Sequence, residues 1–148
     1  PGIRLPFPVL SDLSLIRYPG FADMQEAKAL SDVMERKFAV HLKHGIHLII
    51  VQDQDGSLII GDSHAYGDQA LPFQSEQVDK LLLSTFRALL PGVEAEVCER
   101  WMGSYVCAKD GIAFSEEINE GVYAIEITTG AGMSLAFGFA EEVLNHSI

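Results

Sequence analysis

The chain has 148 residues, of which 48% are hydrophobic and 21% charged, and it carries a formal net charge of −11. That length suits one ordinary domain with a sizeable core, and the balance is that of a soluble globular protein, not a disordered one. The acidic excess excludes a phosphate-backbone partner, the short apolar runs exclude a membrane span, and the opening "PGIRLPFPVL" has no signal-peptide layout. Cys98 and Cys107 are the only cysteines and show no CxxC spacing, which fits reduced thiols in a cytoplasmic protein.

In chain order, "LSLIRYPGF" (13–21) is expected to be a strand closed by the Pro19-Gly20 turn. Asp23 is placed to cap a helix, with Glu26 in capping-box position. Ala27, Leu30, Met34, Phe38 and Leu42 form its apolar stripe, and Gly45 ends it. "IHLIIVQ" and "SLIIGDS" are β-rich runs joined by "DQDG", a hairpin loop. Ser75 caps a second helix, with Val78, Leu81, Leu82, Thr85 and Leu89 on one face and Pro91-Gly92 as its stop. "AEVCERWMGSYVCA", "GIAFSEEI" and "GVYAIEITT" read as three more strands, and residues 133–145 as the last helix. Hairpins outnumber βαβ crossovers, so the fold class is α+β with a mainly antiparallel sheet and helices on one face. The expected boundary lies at "NEG" (119–121), giving a domain of residues 1–120 and a terminal strand–helix of 121–148.

That terminal helix is apolar over most of its circumference, with Met133, Leu135, Phe137, Phe139, Val143 and Leu144 around a narrow polar stripe. Such a helix needs cover on several sides. Before it, "TGAGM" sets two glycines at a strand-to-helix turn, where backbone N–H groups and the helix dipole favour an anionic ligand. A tight turn that needs glycine only for positive φ accounts for the same residues.

Two further constellations carry chemistry. In "GDSHAYGD" (61–68), Asp62, His64 and Asp68 could ligate a metal, the loop could be a solvated hairpin end, or His64 and Tyr66 could face a substrate. No Gly-Asn-His element accompanies it, as a metallophosphoesterase needs, and no metal is assigned. Arg17 and Arg100 lie in apolar contexts, where each needs an internal carboxylate or a ligand acid group; Trp101 and Tyr105 follow Arg100. His41, His44 and His146 are expected on helix surfaces, and His47 as a structural residue in a strand.

Taken in order, "DLSLIRYPGF", "GIHLIIVQDQDGSLIIGDSHAYGD", "LLPGVEAEVCERWMGSYV" and "VYAIEITTGAGMSLAFGFAEEVL" resemble the C-terminal part of FAD-dependent oxidoreductases of the D-amino-acid-oxidase/glycine-oxidase superfamily. The wording "LIRYP", "IGDSH-x-YG" and "TGAGM" is most similar to a bacterial subgroup associated with aminophosphonate breakdown. The resemblance implies FAD as cofactor, a small amine, amino acid or aminophosphonate as substrate, and oxidation of its C–N bond. It implies that Gly130, Ala131, Gly132 and Met133 meet the flavin, that His64, Tyr66 and Tyr105 are catalytic, and that Arg17, Arg100 and Trp101 bind substrate, with Gly103 on the same strand. It also implies that residues 121–148 return to an FAD domain whose front half is not in this sequence, so that the chain alone is inactive and its last helix either exposes an apolar face or hides it by self-association. Met133 and Ser134 stand where some relatives carry a lysine, which leaves oxidase and dehydrogenase chemistry both open. The alternative expectation is a small-ligand or protein-interaction domain without redox chemistry, its last helix covered by its own sheet.

Overall fold

The computed structural model describes residues 2–67 and 72–147. The chain divides into two compact units, Pro1–Arg100 and Trp101–Ile148. The elements are α+β, as the sequence patterns require, and the sheets are antiparallel.

In the first unit, β1 (Val9–Leu10), β2 (Ile49–Gln52) and β3 (Leu58–Gly61) form one sheet in that order. The "DQDG" hairpin is present, with Ile49 opposite Gly61 and Gln52 opposite Leu58. Ile46, Leu48 and Ile50 pack against Val78, Leu82 and Phe86 of α4 (Glu76–Leu89), so a helix covers the sheet and closes the core. Phe86 supplies the last buried position of α4, whereas Leu89, expected there, is exposed. Ser75 stands at the N-cap of α4 without a side-chain hydrogen bond to it.

Three local expectations are corrected. Residues 13–21 are not a strand: they hold two one-turn helices, α1 (Asp12–Leu15) and α2 (Pro19–Ala22). The edge of β2 is already taken by Val9 and Leu10, and the Ser11 N–H closes that ladder on the Leu48 carbonyl at 3.0 Å. The chain then leaves the sheet. Met24, not Asp23, is the N-cap of α3 (Gln25–Lys43), with no side-chain bond. The stripe of α3 is nonetheless its covered side, with Met34 buried, although Phe38 breaks the helix at φ −130° and ψ 30°.

Gly45 terminates α3 as expected. At φ +59° it donates to the Leu42 carbonyl at 3.0 Å, and Ile46 donates to that of His41 at 2.9 Å. This pair of bonds is the left-handed glycine cap that satisfies otherwise orphaned carbonyls.

In the second unit, β4 (Ala113–Asn119) and β5 (Val122–Ile127) form a hairpin whose turn contains Gly121 at φ +69°. The third correction is "AEVCERWMGSYVCA", where no regular secondary structure forms. A β-prone run becomes a strand only beside a partner edge. Here β4 pairs with β5, and the segment meets the end of that hairpin where the Ala108 N–H donates to the carbonyl of Thr128, just past β5, at 3.3 Å. The terminal helix, α5 (Gly132–Ser147), buries Val143 but leaves Met133 98% and Phe137 88% exposed, so it is not wrapped by its own sheet. No helix among the described residues is long and apolar enough to cross a membrane.

Candidate functional site

The hairpin register builds the site. Antiparallel pairing of Ile49 with Gly61 brings the residues just before β2 beside those just after β3. His47 N–H donates to the Asp62 carbonyl at 3.3 Å, which places the His47, Asp62 and His64 side chains together. His47, 6% exposed, is held from behind: the Ser14 hydroxyl donates to its carbonyl. His64 is held by Gly45, where a Cβ would sit 2.6 Å from the His64 carbonyl oxygen.

The side chains interlock. His47 Nε2 lies 3.2 Å from His64 Nδ1 and 3.3 Å from Asp62 Oδ1, and His64 Nε2 lies 3.5 Å from Asp62 Oδ2. A carboxylate only accepts, so with neutral rings the proton of His64 sits on Nε2. Its Nδ1 then accepts from His47 Nε2–H. Burial, the largest influence, pushes both imidazoles below the usual histidine range; Asp62 opposes it in both, and Arg17 reinforces it.

Beyond His64 the loop turns outward. The Tyr66 ring lies 6.3 Å from that of His64, centroid to centroid, at 22° between planes. Arg17, just past α1, donates to the Tyr66 hydroxyl and holds its guanidinium 5.7 Å from the centre of the Tyr66 ring. Three residues singled out from the sequence, Arg17, His64 and Tyr66, therefore come together. His47 belongs with them although its sequence context marks it only as a strand histidine. Carried two pairs further, the register of the "DQDG" hairpin sets His47 opposite Ser63, between Asp62 and His64, and would have found it. Asp68, the third metal-ligand candidate of the loop, lies outside the described residues.

Arg100 is engaged elsewhere. Its Nε lies 2.7 Å from Oδ2 of Asp79, a largely buried carboxylate on α4 that also accepts from Gln74. His41, expected on a helix surface, is half-buried, with Nε2 3.0 Å from the Thr85 hydroxyl and its ring edge-on to Phe38.

In the second unit, Trp101 is exposed, while Tyr105 packs on the glycine turn. A Cβ at Gly130 would lie 3.3 Å from the Tyr105 ring and hydroxyl, and neither Gly130 nor Gly132 has positive φ. The positive-φ explanation of these glycines is thereby overturned; at Gly130 a larger residue would crowd the Tyr105 ring. The Ala131 N–H is taken by the Thr129 hydroxyl at 3.2 Å, and the Ala131 carbonyl accepts from Ser134 and Leu135 at the start of α5. The N–H groups of Gly132 and Met133 occupy the first helical turn, where no intrahelical acceptor exists.

The model of one family, FAD dependent oxidoreductase, matches residues 4–145. The chain belongs to that family. The family's cofactor, FAD, has an electron-rich pyrimidine edge. A helix N-terminus such as that of the 16-residue α5, with N–H groups lacking intrahelical acceptors and a positive dipole end, is chemically compatible with it. No curated protein and no solved structure matches the chain.

Proposed function

We propose that this chain contributes the substrate-binding part and the closing strand and helix of an FAD-dependent enzyme that oxidises the C–N bond of a small amine, amino acid or aminophosphonate. The observation that carries the reading is the grouping of Arg17, His64 and Tyr66 at one end of the β2–β3 hairpin, in a chain of an FAD-dependent family. Bound FAD supplies the acceptor for the hydride that leaves the substrate carbon next to nitrogen.

The chain's own residues do the rest. Arg17 anchors a carboxylate or phosphonate, since a guanidinium fork matches both groups. Tyr66 already shares its hydroxyl with Arg17, so a bound acid group meets two donors at once. His64, fixed by Asp62 and His47, sets the position of the loop that carries Tyr66. Gly132 and Met133 offer their N–H groups to the charge that develops on the reduced cofactor, an electrostatic contribution available without rearrangement. Tyr105 backs that turn through Gly130. The subgroup wording "LIRYP" and "IGDSH-x-YG" supports an aminophosphonate as the acid-bearing substrate. The pyrophosphate of FAD calls for a GxGxxG unit, which these 148 residues do not contain, so that unit is supplied by another segment.

Anaerobic bleaching of the flavin absorbance tests this in the FAD-loaded protein. Glycine, alanine and 2-aminoethylphosphonate are compared with ethylamine, which has no acid group. The acid-bearing amines bleach the flavin, and Arg17→Ala raises the concentration for half-bleaching about 10- to 100-fold, the worth of one charged hydrogen bond. Equal bleaching by ethylamine, unaffected by Arg17→Ala, would refute the assignment.

A further inference from the structure

We propose that His47, Asp62 and His64 form a binding site for a divalent ion of the zinc class, with one coordination position left to water or a small anion. Each residue offers one ligand atom, and these atoms all lie within 4.8 Å of one another. At metal–ligand distances of about 2.0–2.1 Å, two ligands of a tetrahedral ion stand ~3.3 Å apart. The two shortest spacings in the cluster are 3.2 Å, between His47 Nε2 and His64 Nδ1, and 3.3 Å, between His47 Nε2 and Asp62 Oδ1. Those two spacings already match a tetrahedral ion, and the third lies within 4.8 Å, so an ion needs only a small rearrangement of the cluster. Two imidazoles and one carboxylate suit zinc, cobalt or nickel, whereas magnesium and calcium prefer oxygen donors throughout.

A separate observation points the same way. Asp62 Oδ1 is buried and accepts no hydrogen bond of good geometry, although it faces His47 Nε2. A carboxylate oxygen shut off from water is costly unless a donor or a cation reaches it. The rest of the Asp62 side chain is 47% exposed, which gives an ion a way in. The ligands are also held before any ion arrives, by Ser14 on the His47 carbonyl and by Gly45 against the His64 backbone. The site shares His64 with the proposed substrate-binding group, but ion binding needs no flavin: all three ligands lie within the first unit and none belongs to the glycine turn.

The untagged 148-residue chain, stripped with a chelator and dialysed, is titrated with Zn2+ by calorimetry and with Co2+ by visible absorption. The expected result is one ion per chain with micromolar or tighter affinity, and cobalt bands of tetrahedral intensity. Asp62→Asn and His64→Gln each weaken binding at least about tenfold, a loss of the size known for disturbed metal sites. His146→Gln, on exposed α5, leaves binding unchanged. Far-UV circular dichroism checks each variant. If His64→Gln loses its fold, the half-exposed Asp62→Asn decides. Absence of saturable binding by the parent chain, or binding that survives in a folded Asp62→Asn, would overturn the proposal.

Discussion

Gly45→Ala is the most informative single substitution, because two separable terms oppose it. Gly45 has φ +59°, where an L-residue costs roughly 1–2 kcal/mol. Its Cβ would also stand 2.6 Å from the His64 carbonyl oxygen, 3.1 Å from its nitrogen and 3.2 Å from its Cβ. That obstacle is backbone, which cannot rotate away, so the His64 segment must shift as a whole, at the ~1–3 kcal/mol typical of overpacking. The sum is about 2–5 kcal/mol. Gly56→Ala supplies the reference: Gly56 has φ +88° in the β2–β3 loop, with nothing within 4 Å of its would-be Cβ, so it carries the dihedral term alone. Urea unfolding followed by far-UV circular dichroism measures both variants, with the slope m checked for constancy. Gly45→Ala should lose at least ~1 kcal/mol more than Gly56→Ala, on the overpacking scale. A difference below ~0.5 kcal/mol, about the scatter between independent sites, would show that His64 does not lie against Gly45.

Arg100→Ala should destabilise the chain by about 1–3 kcal/mol, nearer the lower figure because Arg100 is half exposed, by leaving the Asp79 carboxylate to Gln74 alone. Thermal unfolding of Arg100→Ala and Arg100→Lys checks it; an unchanged midpoint in the alanine variant would mean that the pair contributes nothing. Burial first, and then His44, holds the His41 pKa below its ordinary value. The unfolded chain thus binds the extra proton more readily, and the His41 contribution is complete above pH ~6.5 and lost as pH falls towards its folded value. His41→Gln should reduce the loss of unfolding free energy between neutral and mildly acidic pH; a profile with the parent's full slope would refute that assignment.

What the chain shows of itself is local and periodic. The 3–4 spacing of Ala27, Leu30, Met34, Phe38 and Leu42 marks the covered side of α3, and Gly45 marks its end, because a helix face and its glycine cap are specified within a few residues. The "DQDG" hairpin, the last strand and the last helix were legible for the same reason, and so was the FAD dependent oxidoreductase family through the order of its motifs. Tertiary structure decided whatever needs a distant partner. Residues 13–21 left the sheet where Val9 and Leu10 hold the edge of β2, and the run around Trp101 joined neither edge of the β4–β5 hairpin as a strand. Phe86 replaced Leu89 in the core because the covered face of α4 runs through Val78, Leu82, Phe86 and the following Leu90, four residues apart, and Leu89 lies off it. His47 became a site residue, and Arg100 the partner of Asp79, for the same physical reason: propensity is written along the chain, whereas the neighbour that satisfies a buried charge or an open strand edge is set by packing.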